Sequence, residues 1–80
     1  MALIFDRFSS LTNAASFAEK VKSLGRNSVI YTDAEEAANA DYYPFTLLAP
    51  VVLVERTEDD DGEEEVISLV KSFEGSFAGT

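Results

Sequence analysis

The sequence predicts an α+β fold: a small two-layer sandwich of about three strands, with two main helices on one face and one short helix besides. Three observations predict it. Short β-branched and aromatic runs alternate with segments whose apolar residues recur at helical spacing, in the order β-α-β-α-β-α. The two clearest helical stripes are Ala14, Phe17, Ala18, Val21, Leu24 and Val66, Ile67, Leu69, Val70, Phe73. Between them lies Val51-Val-Leu-Val54, four consecutive apolar residues that call for burial on both faces and so for a central strand. A shortened ferredoxin-like arrangement is one form this order can take. That fold hosts too many activities to imply any one of them.

The elements follow in order. Ala2-Leu-Ile-Phe5 reads as a first strand, with the apolar run reaching toward Phe8. Ser9, Ser10, Thr12 and Asn13 break the pattern, and Thr12 is the expected N-cap of the first helix. Gly25 is its expected stop. Lys20, Lys22 and Arg26 sit near that end, where the helix dipole favours positive charge. With only a short helix-containing link between them, the first strand and Ser28-Val-Ile-Tyr31 are expected to run parallel with a right-handed crossover, the strand order being left open. Asp33 and Glu36 match a capping box for a short alanine-rich helix over 34–40. Pro44 and Pro50 lack amide donors and restrict their neighbours, so residues 42–50 read as an extended loop.

After the third strand, residues 57–62 form an acidic loop. Asp61 and Glu64 match another capping box, and the helix that follows is expected to stop at Gly75, with Phe77 folding back on it. A hairpin turning at Asp61-Gly62 is the rival. The run of Glu and the 3.6-residue spacing favour the helix. Residues 76–80 read as a flexible C-terminal tail, and 1–80 as a single domain. A core of this size rarely leaves more than ~3–5 kcal/mol of net stability.

Charge is unevenly spread. Residues 1–40 hold four basic and five acidic side chains, a net of −1. Residues 41–80 hold two basic and ten acidic ones, a net of −8, and the chain carries −9. Eight of the acids fall between Glu55 and Glu65. Such a field repels nucleic acid and anionic lipid and attracts basic protein. Glu58, Asp59, Asp60, Asp61, Glu63, Glu64 and Glu65 are therefore the candidate docking residues for a basic partner. Tyr42, Tyr43 and Phe45, rigid rings clustered around Pro44, are candidates to assist. Each set also has a plainer role: the acids as a solvated loop and first helical turn, the rings as cover for the end of the core.

The residue types that most chemistry needs are missing. There is no histidine and no cysteine, which removes the commonest general base, the thiolate nucleophile and nearly every transition-metal site. Aligned on Gly62, an EF-hand would need Glu at position 68, where Ser68 stands. Ser68-Leu-Val-Lys71 matches S-x-x-K without any companion motif. No catalytic, cofactor or metal residue is expected. The N-terminus lacks the basic region of a signal peptide, and the apolar run 45–54 is about half the ~20 residues a membrane helix needs. The expectation is a non-enzymatic cytoplasmic interaction module without membrane or direct nucleic-acid contacts. The alternative is a self-assembling module that forms a homo-oligomer through an apolar strand edge.

Overall fold

The computed structural model describes residues 2–33, 36, 48–56 and 62–79. Its sheet has four strands, β1 (Ala2–Asp6), β2 (Ser28–Tyr31), β3 (Val51–Glu55) and β4 (Ser76–Gly79), in the spatial order β2-β3-β1-β4. Every neighbouring pair is antiparallel. The two inner strands are the two apolar runs. Leu3, Ile4, Phe5, Val51, Val52 and Val54 are all fully buried, as the sequence of Val51–Val54 requires.

One expectation about the sheet holds and one is corrected. β1 and β2 run in the same direction, as expected, with β3 between them and paired with both. A strand apolar on both faces needs a neighbour on each side, and insertion between β1 and β2 supplies both. The correction is the fourth strand, where about three were expected. Residues 76–79, read as a tail, pair antiparallel with the otherwise open edge of β1. Their own composition, Ser-Phe-Ala-Gly between two small residues, carries little strand signal; the partner edge supplies the reason to pair.

Helix α1 spans Leu11–Ser23. Its N-cap is Ser10, not Thr12: Ser10 is extended, and its Oγ accepts the Asn13 N–H at 3.1 Å. Both hydroxyls are competent caps, and the earlier one adds helix while placing Asn13 for the contacts described below. At the other end Gly25 sits at φ +88, its N–H donates to Lys22 O at 2.9 Å, and the Arg26 N–H returns to Val21 O at 3.2 Å. This is the Schellman closure that a glycine after the last turn predicts. Ala14, Phe17 and Val21 are buried, whereas Leu24, at the cap, is exposed.

Helix α2 spans Glu63–Leu69 and tightens into a 3-10 turn over Val70–Phe73. The helix reading of this segment therefore holds against the hairpin. Its N-cap position is Gly62, in the left-handed region at φ +97 and without a side-chain cap bond. The expected stop is displaced by one residue. Glu74, not Gly75, takes the left-handed conformation, at φ +59, while the Gly75 N–H reaches back to Val70 O at 3.2 Å. Phe77 belongs to β4 rather than to a cap.

The reason lies across the molecule. A Cβ on Gly75 would stand 2.5 Å from Phe8 Cε1, so the glycine is needed there for close approach. Glu74 then carries the left-handed cost of roughly 1–2 kcal/mol. Its Oε2 accepts from Ser9 Oγ at 2.7 Å and from Asn13 Nδ2 at 2.8 Å, charge-assisted bonds that offset this and tie the end of α2 to the start of α1.

The helices cover one face of the sheet. Leu3, Phe5, Val52 and Val54 meet Phe8, Ala14, Phe17, Val21, Val66 and Val70 there. Phe17 is the hub: its ring lies 4.9 Å from Phe5, 5.5 Å from Phe8 and 5.9 Å from Phe73, centroid to centroid. On the opposite face Ile4, Val51 and Leu53 pack with Ala2, Tyr31 and Ala78. The segment expected as a short helix over 34–40 lies outside the described residues except for Glu36.

Replacing Phe17 by alanine is expected to cost about 3–5 kcal/mol, comparable to the whole stability of a core this size. The Phe17→Ala chain should show no cooperative thermal unfolding by circular dichroism. Gly75→Ala is expected to fold but to melt lower than the parent, because the Phe8 ring must move. An unchanged melting temperature would contradict the contact described.

Candidate functional site

The acidic segment is only partly available to a partner. Glu63, Glu64 and Glu65 form the first turn of α2, where carboxylates suit the positive end of the helix dipole. Glu64 and Glu65 are exposed. Glu63 turns inward instead: its Oε2 lies 3.3 Å from Arg56 Nε, and its side chain is only 14% exposed. Glu55, at the end of β3, accepts from Asn27 Nδ2 at 3.2 Å. Arg26 is buried, and its Nη2 reaches to 3.7 Å from the point where a Cβ on Gly62 would stand. Arg26 and Arg56 thus lie against Gly62 and Glu63, and the outward charge of the described part rests on Glu55, Glu64 and Glu65. The other candidates, Glu58, Asp59, Asp60, Asp61, Tyr42, Tyr43 and Phe45, lie outside the described residues.

Asp6 is a second acid that the sequence did not single out. It ends β1 at 3% exposure, and its Oδ2 accepts the Leu48 N–H at 3.0 Å, with Arg7 Nε 3.9 Å away. The Arg7 N–H donates to Leu48 O at 3.1 Å. Asp6 thereby anchors the chain just before β3. This is structural work, and its only trace in the sequence is a charge directly after an apolar strand.

An open groove of about 870 Å³ runs between α1 and the outer edge of β2. Leu11, Ala15, Ala18 and Ile30 supply apolar lining, and its charged lining is Glu19 against Lys22 and Arg26. Sequence reading missed it, because it forms only where the border of the predicted stripe, at Ala18, and the helical face beside it meet β2.

Ser68 and Lys71 are both exposed, on separate helical turns, and converge on nothing described. Among the described residues no three potential metal ligands cluster. No helix there is long and apolar enough to cross a membrane. No family model, curated protein or solved structure matches the chain.

The two kinds of carboxylate should separate experimentally. A double-mutant cycle on Arg56→Met and Glu63→Gln is expected to give a coupling of about 0.5–1 kcal/mol. The same cycle with Glu64→Gln in place of Glu63→Gln should give none. Equal coupling in the two cycles would contradict the inward orientation of Glu63.

Proposed function

We propose that this chain is a non-enzymatic protein-interaction module of ferredoxin-like topology, which docks a basic macromolecular partner through the acidic segment 55–65. The strand order β2-β3-β1-β4 with one helix after β1 and one after β3 supports the topological part. The observation that carries the functional part is the concentration of eight acids in that segment. The exposure of Glu64 and Glu65 at a helix start, on the same segment, supports it.

Clustered carboxylates raise the encounter rate with a positively charged surface and set its orientation. Glu58, Asp59, Asp60 and Asp61 extend the same charge along the chain, and Tyr42, Tyr43 and Phe45 would add apolar contact area. Glu63 serves the module differently, holding the end of β3 to α2 through Arg56. The lack of histidine and cysteine supports a binding role over catalysis.

Affinity capture of basic proteins from an extract tests the reading. Retention is expected in low salt and should fall steeply as the screening length shrinks from about 30 Å at 0.01 M to about 3 Å at 1 M. A variant with Asp59, Asp60 and Asp61 changed to Asn and Glu64 and Glu65 to Gln should lose retention while keeping its circular dichroism spectrum. No retention in low salt, or retention that the neutralised variant reproduces, would sink the proposal.

A further inference from the structure

The last strand adds little to the core. None of the buried apolar side chains comes from residues 74–79. Ser76 is exposed, Phe77 is 37% exposed, and Ala78 and Gly79 are half-buried. Phe77 leans on Phe5 with ring centroids 5.3 Å apart, and Ala78 borders the Ile4 cluster. The ladder between β4 and β1 is short. It shifts register between Ile4 and Phe5, so that Ala78 bulges out of it.

What holds this segment sits at its start. Glu74 is in the left-handed region at φ +59, which a residue other than glycine adopts only at a cost. Its Oε2 accepts from Ser9 Oγ at 2.7 Å and from Asn13 Nδ2 at 2.8 Å. Asn13 Nδ2 also donates to Ser9 Oγ at 2.7 Å, which closes a three-membered cluster. Ser9 and Asn13 stand at the start of α1, the helix that Phe17 fixes to the core.

We propose that residues 74–79 form a strap that opens and closes as a unit while the rest of the sheet and both helices stay folded, with the Ser9–Asn13–Glu74 cluster as its latch. Opening gives up the short ladder, the Phe5–Phe77 contact and the latch bonds, and it releases the left-handed backbone at Glu74. Segments that bury so little apolar surface lie at the low end of a protein's local stabilities. Closed, β1 is an interior strand. Open, it is an edge of the sheet, and its outward backbone groups have lost their partners. The strap uses no residue of the acidic segment, so this inference and the docking reading fail separately.

β1 carries the reporters of this motion. The Glu55 N–H donates to Asn27 O at 2.9 Å, so Glu55 faces β2, and by alternation Val52 and Val54 face β1. Their partners Phe5 and Leu3 therefore turn their backbone groups toward β3, and Ile4 and Asp6 turn theirs toward β4.

Hydrogen exchange of the intact chain, followed amide by amide by NMR, tests the inference. Ile4 and Asp6 are expected to exchange at least about tenfold faster than Leu3 and Phe5 on the same strand. Urea below the unfolding transition should speed Leu3 and Phe5 and leave Ile4 and Asp6 nearly unchanged, because an opening strap exposes little surface. Ser9→Ala removes a donor to the latch and should speed Ile4 and Asp6 about tenfold. Glu74→Gln, which weakens the acceptor and leaves the backbone as it is, should act in the same direction. A cooperative melt by circular dichroism checks that each variant folds. Equal exchange with equal urea dependence at all four amides would overturn the strap. Rates at Ile4 and Asp6 that neither variant changes would overturn the latch.

Discussion

The structure depends on the packing of Phe17 against the sheet. Its ring, carried by α1, contacts Phe5 of β1, Phe8 in the turn before the helix and Phe73 in the turn after α2. One side chain thus joins the first strand, the first helix and the end of the second. In a chain this short, each large apolar residue is a sizeable part of the core. Once α1 is held by Phe17, β2 emerges one strand away from β1, and the gap is filled by β3, the segment able to bury both of its faces.

A second set of contacts shows tertiary packing overriding local preference. Glycine is the usual residue in the left-handed position after a helix, and α1 follows that rule at Gly25. After α2 the glycine stands one residue late, because the Phe8 ring occupies the space where a side chain at 75 would go. Glu74 adopts the unfavourable conformation, and its carboxylate is held by Ser9 and Asn13. The same few residues therefore cap α1, close α2 and aim β4 at the open edge of β1.

The charge of the chain resolves into two roles. Glu63, Glu55 and Asp6 point to partners within the molecule and fasten strand ends to their surroundings. Glu64 and Glu65 point to solvent. Net charge alone does not distinguish these, because whether a carboxylate is paired depends on which arginine or amide the fold brings beside it. Arg56 is close to Glu63 in sequence. Leu48 and Asp6 are far apart in the chain, and no pattern links them.

Periodicity and turn chemistry by themselves determined the element types: β2 to the residue, β3 to within one, α1 with its glycine stop, and a helix rather than a hairpin after Gly62. These are local properties, carried by apolar spacing and by residues with restricted backbones. Only the tertiary structure decided strand order, the existence of β4 and the choice of Ser10 over Thr12 as cap. Each of those depends on a partner distant in sequence: β1 for β4, both β1 and β2 for β3, Glu74 for the Asn13 that Ser10 caps. The acidic segment was legible as composition, since charge is counted residue by residue. The groove beside β2 was not, because it exists only where the fold brings α1 and β2 together.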